Sequence, residues 1–462
     1  MRLKIMILSS IIFALSLNVR AEEKVNKITL EEFIKISCQK DTAFQEVLID
    51  ELKLKYEKAL AIPAKDLVLE IESKYEFLFD PSEEDVENTV TLTKLFPYIG
   101  TEVAAEYSSS VATTTRNVTS DLTLEISQPI ARDAFGRNTR LIDKITGIEI
   151  DVARYQIAEA YEDYLANVIM LYYDWYSAYE NLRTAENSYK ENLKLLENIK
   201  EREKSKIALP IDVNKITLQA LAKRENVITR KNQYEDYLNE VKVALRYGED
   251  IPLEPKESLL YADLDIDFEK GRETFNLSSR TAKVLKMLED KSSFEVDEYA
   301  DELLPSINLL MGYTLEGSSH DIEKETLAYA GVSLEWPFPD QVDRADYETS
   351  KIELRKTKLS SETTHMRLYT DLKNLDNQIQ REKELIEVAD EKIKLAEAIV
   401  KDEKENYSLG RSSLNDLIDE VNKLEDNKFN KITHNIQLRK LTVEWLRLSD
   451  TLIKESDIFN KQ

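Results

Sequence analysis

The chain has 462 residues and a formal charge of −25, with 88 Asp and Glu against 63 Lys and Arg. Such an acidic surface argues against nucleic acid as a partner. Only 9 Gly and 10 Pro interrupt this length, which favours long helices over many compact turns. The three histidines, His320, His365 and His434, lack metal-ligand spacing, so we expect no metal site and no cofactor.

Residues 1–21 have the pattern of a secretory signal peptide. Two basic residues precede the apolar run 5–17, and Val19 and Ala21 stand at the positions that signal peptidase reads. No later segment offers about 18 uninterrupted apolar residues, the length that a spanning helix needs. We therefore expect an exported chain that would enter a membrane only as part of a closed β-barrel.

The order strand, loop, strand occurs twice along the chain. Alternating apolar residues follow Pro63 and Pro305, and a second alternating run ends at Pro129 and at Pro337. The first pair of prolines is 66 positions apart and the second is 32, so the first half carries about 34 extra residues. These residues either add a β-hairpin or lengthen the strands.

A very long helical pattern follows each closing proline. Apolar residues recur at spacings of four and three from Ile157 to Leu182 and from Leu368 to Val400, which is typical of a coiled-coil seam. Glu382 is the only polar interruption of the second seam. A second apolar stripe, Leu165 to Tyr179, runs beside the first seam, so this helix must pack against neighbours on both sides.

These patterns predict an α+β fold made of two similar repeats, each with a helix, strands and a long antiparallel helical hairpin. The first repeat, residues 22–255, has strands over about 67–130 and a hairpin over about 138–248. The second repeat, residues 256–462, has strands over about 306–337 and a hairpin over about 342–455.

Several short motifs occur in the same order in this duplicated pattern. The segment 127–130 reads Ser-Gln-Pro-Ile and is followed by Phe-Gly-Arg at 135–137, while Tyr-Ser-Leu-Gly stands at 407–410 and has its first-half counterpart at 207–213. With the opening Ile-Thr-Leu-Glu-Glu-Phe at 28–33, the mature chain resembles the TolC-like outer membrane efflux family, also called outer membrane factors.

The resemblance implies a homotrimer in the cell outer membrane. Strands of three protomers would close one transmembrane β-barrel, and the long helices would form a periplasmic α-barrel. The strand count also indicates partner copies. A closed barrel needs about eight strands, and two strand pairs are too few. Three copies would supply about twelve. The implied function is a channel-tunnel that exports substrates in a tripartite efflux pump or a type I secretion system. Its implied partners are a periplasmic adaptor (membrane fusion protein), an inner-membrane transporter and outer membrane lipid.

The resemblance also assigns a pore constriction to Asp416 and Asp419. In three copies these two residues would form two rings of carboxylates and favour cations. A second interpretation is that both are helix-start carboxylates, which the helix dipole favours. The two roles are compatible.

Further roles follow for the two helical turns. Tyr407, Asp212 and Arg411 correspond to contacts of the closed state, although the arginine position of the family holds Ser412 here and Arg411 stands one residue earlier. The residues implied for adaptor docking are Leu209, Pro210, Leu409 and Gly410.

A secreted scaffold and an enzyme are the two alternative function classes. A secreted coiled-coil scaffold or adhesin without a pore would account for the seams but leaves the strands unconnected to them. An enzyme would need a nucleophile elbow, a phosphate loop or a histidine-carboxylate cluster, and the sequence has none of these motifs. We therefore expect a protein that is not an enzyme, with a cargo that the sequence does not name.

Overall fold

The computed structural model describes residues 26–62, 66–79, 82–112, 117–248, 251–257, 266, 268–318 and 321–453, so the predicted signal peptide lies outside the described residues. The chain folds as two compact units, each drawn from both halves of the sequence. We call Met1–Gln45, Asp163–Asp267 and Asn374–Arg447 the helical unit, and Glu46–Glu162, Phe268–Lys373 and Leu448–Gln462 the sheet unit. The two repeats divide the chain in another way and stay a prediction.

The secondary structure follows the predicted order of elements. The strands are β1 Asn26–Ile28, β2 Leu67–Phe79, β3 Ser82–Phe96, β4 Thr101–Ala112, β5 Asn117–Pro129, β6 Leu253–Pro255, β7 Ser306–Ser318 and β8 Asp321–Glu335. The helices are α1 Leu30–Lys40, α2 Thr42–Ala61, α3 Arg137–Lys204, α4 Pro210–Leu245, α5 Phe268–Ser278, α6 Arg280–Glu302, α7 Gln341–Ser408 and α8 Leu414–Leu448. None of the helices that the structure describes combines the length and the apolar character needed to cross a membrane.

The sheet unit contains one antiparallel sheet in the order β2-β3-β4-β5-β7-β8. The first half therefore contributes four strands, so of the two alternatives that the sequence left open, its extra residues add a hairpin. In the sequence, Pro63 and Pro129 mark only the two ends of this first strand region. The turn of this hairpin lies between β3 and β4, where Gly100 has a φ of 68°, a left-handed conformation that glycine adopts without strain.

The strand register gives the sheet two different faces, because successive side chains of a strand point to opposite sides. One row across the six strands is Leu69, Leu92, Ala105, Leu124, Tyr313 and Ala328. The next row, on the opposite face, is Glu70, Thr91, Glu106, Thr123, Thr314 and Leu327. Leu124 is 48% exposed in the single chain, so the apolar face lacks a cover there.

The helical unit is organised around a small parallel sheet of β1 and β6. Tyr172 of α3 is buried against it, and its hydroxyl lies 2.8 Å from the carbonyl of Ile28 and 2.5 Å from that of Lys256. Burial raises the pKa of this phenol. The rings of Phe33 and Trp175 pack within 6 Å of its centroid, so aromatic burial and a satisfied hydroxyl join the strands to α3.

Polar contacts align the long helices of the helical unit. Glu425 of α8 is buried, pairs with Lys223 of α4 and accepts a 2.6 Å hydrogen bond from Ser188 of α3. Glu382, the polar interruption of the predicted seam, lies 2.8 Å from the Nδ1 atom of His434 on α8. Because buried polar groups need partners, these contacts favour one register of the helices over shifted ones.

A buried ion cluster stabilises the sheet unit. Arg280, at the start of α6 and 1% exposed, pairs with Glu159 at 2.9 Å, with Asp450 at 3.2 Å and with the buried Glu162. The backbone N–H groups of Leu452 and Ile453 also donate to Glu162, at 3.0 and 3.3 Å. This carboxylate therefore joins α3 to the start of α6 and to the segment after α8.

Glu162→Gln should lower the free energy of unfolding by about 3 kcal/mol, because it leaves a buried guanidinium without its closest carboxylate. The amides of Leu452 and Ile453 should exchange hydrogen faster, since their acceptor loses its charge. Hydrogen exchange measured by mass spectrometry tests both effects. Unchanged protection of these two amides would contradict the assignment.

Glu159→Gln is the matched control, because burial and then the charge of Asp450 raise the pKa of Glu159. The stability that a raised carboxyl contributes is complete below its ordinary pKa and is lost as the pH rises through the raised value. At pH values above this raised pKa, Glu159→Gln should thus be at least as stable as the parent protein. This advantage should disappear in acid, as thermal unfolding across pH can show.

Candidate functional site

The two long hairpins of the helical unit turn in the same way. Five residues separate α3 from α4 and α7 from α8. The left-handed position of the turn is Lys206, with a φ of 61°, in the first hairpin and Gly410, with a φ of 72°, in the second. The backbone N–H of Ile207 donates to the carbonyl of Arg202, and that of Arg411 to the carbonyl of Asn406, both at 2.8 Å. This is the Schellman ending of a helix.

An aspartate stands in the first turn of each returning helix. Asp212 accepts a 3.1 Å hydrogen bond from the backbone N–H of Leu209. Asp416 accepts one of 3.1 Å from the backbone N–H of Ser413 and one of 2.7 Å from its hydroxyl. These bonds hold the pKa of Asp416 below its ordinary value. Asp416 is therefore a helix-capping carboxylate, as the second interpretation had it, and Asp212 is its equivalent in the first hairpin.

Asp419 lies one helical turn beyond Asp416, and both carboxylates are exposed in the single chain. A hydrogen bond to Glu420, with the charge of Asp419 beside it, raises the pKa of Lys423. Capping leaves the charge of Asp416 in place, so it does not conflict with a pore role. The constriction formed by three copies stays a prediction.

The structure brings Tyr407 and Asp212 together. The pKa of Tyr407 lies above its ordinary value, because burial and then the charge of Asp212 raise it. The charge of Arg202 opposes this shift. The guanidinium of Arg202 lies 5.0 Å from the centroid of the Tyr407 ring and 3.4 Å from the carbonyl of Ser408. Among the residues that the structure describes, Arg411 contacts neither Tyr407 nor Asp212. Its role in the closed state stays a prediction.

Arg202 is the residue that sequence reasoning missed. It lies in the last turn of α3, where a cation has an ordinary explanation in the helix dipole. Its position against Tyr407 depends on the packing of one hairpin against the other, and no local motif reports that packing. More than 200 positions separate Arg202 from the end of α7 in the sequence. Only the tertiary structure therefore shows that Arg202 and Tyr407 meet.

An apolar cluster packs against residues of both turns. Ile199, Ile216 and Leu414 are buried there, with Tyr407 packed against them. Beside it lies a cleft of about 300 Å³ whose lining includes Asn198, Arg202, Lys404, Tyr407 and Leu417. Charged, amide, aromatic and apolar side chains all line the cleft.

The residues predicted for adaptor docking lie at the surface of the turns. Leu209, Pro210, Leu409 and Gly410 are all exposed, and Leu409 is 56% exposed. Docking itself stays a prediction.

Among the residues that the structure describes, the turns hold no converging group of three His, Cys, Asp or Glu side chains. Three carboxylates in the described part of the sheet unit, those of Glu159, Glu162 and Asp450, place ligand atoms within 4.8 Å of one another. Arg280 already pairs with all three, so a guanidinium occupies the position that a metal ion would need.

Gly410→Ala should destabilise the end of α7 by about 1 kcal/mol, because a left-handed conformation costs a Cβ-bearing residue about that much. A Cβ at this position would meet no atom within 4 Å, so the cost is conformational alone. Lys206→Gly is the matched change and should stabilise the end of α3. Hydrogen exchange of the Arg411 and Ile207 amides reports the two effects, and a shift in the same direction for both variants would refute the equivalence.

No protein-family model matches the sequence, and no curated protein matches it. Solved structures do match. CusC, crystallised in a study of folding and transmembrane channel formation, has a TM-score of 0.70 at 11% identity, with 94% of this chain and 95% of that chain covered. VceC, an outer membrane protein of Vibrio cholerae, has a TM-score of 0.69 at 12% identity, with 91% and 95% covered. The CmeC outer membrane channel of Campylobacter jejuni has a TM-score of 0.69 at 12% identity, with 94% and 88% covered.

These likenesses concern the fold, since sequence identity is low throughout. They extend along nearly the whole chain and include both the sheet and the long helices. The α+β class predicted from the sequence is confirmed, and so is the fold that the resemblance implied. The chain has the fold of these outer membrane channels.

Proposed function

We propose that the chain is one protomer of a trimeric outer membrane channel that exports substrates with a periplasmic adaptor and an inner-membrane transporter. The observation that carries the proposal is the two-faced sheet, set within a fold shared with solved outer membrane channels. An efflux pump or a type I secretion system would supply the cargo, and the protein itself carries out no bond chemistry.

The sheet supports a shared barrel. Its six strands fall short of the roughly eight that close the smallest barrel, whereas three copies would supply 18 strands rather than the twelve first expected. The apolar face would contact lipid. The opposite face, with Glu70, Glu106 and Glu125 in its rows, would contact water in the lumen.

The helices support association of several copies. In the helical unit, α4 exposes Leu218, Leu221 and Ile228, and α7 exposes Leu385, Val388, Leu395 and Ile399. Residues three, four and seven apart share one face of a helix, so each set forms an apolar stripe that its own chain leaves uncovered. Stripes of this kind mark protein interfaces, and a second and third copy are the proposed partners.

The turns support a gate and a docking site. We assign the constriction to Asp416 and Asp419 and the adaptor contacts to Leu209, Pro210, Leu409 and Gly410. The closed state would be held by Tyr407 and Asp212 with a cation nearby. Arg202 already contacts Tyr407, whereas Arg411 would have to move to take part.

The first test of the proposal is the state of the protein in cells. We expect the mature chain in the outer membrane fraction, extractable only with detergent, and with the mass of a trimer. The exposed apolar face of the sheet requires a lipid or detergent environment. A detergent-free monomer in the periplasm would favour the scaffold or adhesin instead.

The second test separates the two roles of Asp416. The amide oxygen of Asn can still accept the hydrogen bonds from Ser413, so Asp416→Asn combined with Asp419→Asn removes charge and keeps the turn. The preference of single channels for cations should fall, because carboxylate rings attract cations into a narrow mouth. Asp402→Ala with Asp426→Ala, two exposed positions on the same hairpin, is the control. A reversal potential in asymmetric salt equal to the parent's would place the constriction elsewhere.

A further inference from the structure

The hairpin of β3 and β4 is inserted into the middle of the sheet. β3 pairs with β2 from Ser82 to Lys94 and with β4 from Asp85 to Phe96, and β4 pairs in turn with β5. The hairpin adds two strands and no helix, because it lies between β2 and β5 in the chain. The sheet is still joined to helices at the four places that two strand pairs would need, which are α2 to β2, β5 to α3, α6 to β7 and β8 to α7.

Both strands of the hairpin have the length and the alternation of a barrel wall. β3 has 15 residues and β4 has 12, whereas a strand needs about 9 to 11 residues to cross a membrane. Leu92 lies opposite Ala105 on the apolar face, and Thr91 lies opposite Glu106 on the polar face. A hairpin folded into a water-filled lumen would expose this apolar face to water, which is unfavourable. The pattern therefore favours a hairpin within the wall.

The turn of the hairpin is anchored to the start of α3. A Cβ built on Gly100 would lie 2.9 Å from the backbone nitrogen of Gly136, so the two glycines allow a close approach. The guanidinium of Arg140 donates to the carbonyl of Tyr98 at 2.9 Å and also to the carbonyl of Phe135. These contacts hold the turn in place, although the chain does not continue from it into a helix.

The polar face of the hairpin carries many small side chains. Side chains that stand on this face leave more open space when they are small, so the two strands lengthen the wall without filling the space beside it. The small residues of this face are Thr89, Thr91, Thr93, Ala104, Ser108 and Ser110.

The width of a closed barrel follows from its number of strands. Strands lie about 4.8 Å apart and tilt by about 40° in a membrane barrel, so each takes up about 6.3 Å of the circumference. Two strand pairs from each of three copies would close a barrel about 24 Å across between backbones. The six strands observed in each copy would close one about 36 Å across. The hairpin thus widens the barrel by about half.

We propose that the hairpin of β3 and β4 sets the size limit of the barrel, so that cargo of larger cross-section can leave than through a barrel of two strand pairs per copy. The inference rests on the proposed function, because it requires three copies to close one barrel. A barrel of about eight strands is filled by its own side chains, whereas barrels of 16 to 18 strands hold an open aqueous channel. The added strands move this barrel into the second class.

Distances between copies test the width. In a Cys38→Ala background, which removes the one native cysteine, Leu124→Cys places a spin label on β5, outside the hairpin. Pulsed electron paramagnetic resonance then measures the distance between the labels of the purified assembly. Deletion of residues 82–117 joins β2 to β5 and would set Val118 opposite Phe79. This pairing keeps β5 in the orientation that it has in the parent, with its apolar residues on the apolar face.

We expect the distance to be about 10 Å shorter in the deletion variant, because equivalent backbone positions of three copies lie about 31 Å apart in the wider barrel and about 21 Å apart in the narrower one. Equal distances in the two proteins would place the hairpin outside the wall. That result would overturn the inference and leave the proposed channel standing. The absence of any distance between copies, in either protein, would overturn the channel itself.

Leu409→Cys, at a turn of the helical unit and 56% exposed, is the matched control. Its label distances should be the same in both proteins, because the deletion removes no helix. If they change, or if the deletion variant does not assemble, the parent labelled at Leu124→Cys decides alone. A backbone separation near 31 Å supports the inference, and one near 21 Å overturns it. A single distance with the mass of a dimer would also overturn it, since two copies supply only twelve strands.

The size limit itself is measured with thiol-reactive, water-soluble polymers of graded size, applied to the outer side of vesicles that contain the protein. Thr123→Cys stands on the polar face of β5, opposite Glu106, and should react with larger polymers in the parent than in the deletion variant. Leu124→Cys, on the apolar face, should react with none in either protein. The same upper limit at Thr123→Cys in both proteins would reject the hairpin as the element that sets the size limit.

Discussion

The six-stranded sheet cannot bury either of its faces within one chain, and most features of the molecule follow from this constraint. Rows of leucine, isoleucine and valine alternate with rows of glutamate and threonine through β2 to β8. A polar face next to an apolar face is stable only where water covers one and an apolar medium the other. A trimer in a membrane, as proposed above, would meet both conditions.

At the turns, one side chain can both cap a helix and present charge to the proposed assembly. Asp212 and Asp416 satisfy backbone N–H groups at the start of a helix, which is a local matter of capping. They also place negative charge at the end of each hairpin, where a threefold assembly would concentrate it. Arg202 and Tyr407 then connect the end of α3 with the end of α7, so in the proposed trimer local geometry and assembly would depend on the same few residues.

Buried polar groups define the register of the long helices. A coiled-coil seam repeats every seven residues and tolerates a shift by one repeat. In the observed register the buried Glu425 pairs with Lys223, and Glu382 lies beside His434. A shift would leave a buried charge unpaired, which costs several kcal/mol. Glu382, the polar residue of the predicted seam, therefore has a structural role beside His434.

The sequence alone determined the elements with strong periodicity. Long seams of apolar residues predicted the hairpins, alternation after Pro63 and Pro305 predicted strands, and the motif at 407–410 located the second turn, because each of these signals is local. Local signals did not decide the number of strands in the first half. The turn at 97–100 was needed for that, and its meaning depends on Gly100 packing beside Gly136.

What only the tertiary structure decided were contacts between residues far apart in sequence. Arg202 beside Tyr407, Arg280 among three carboxylates, and the exposed ring of Phe135 held by Arg140 all depend on how helices and strands pack. Neither composition nor periodicity reports such packing, because a side chain has many possible neighbours and the fold selects one. The sequence supplied the elements and their order, and the packing of those elements selected the residues that meet.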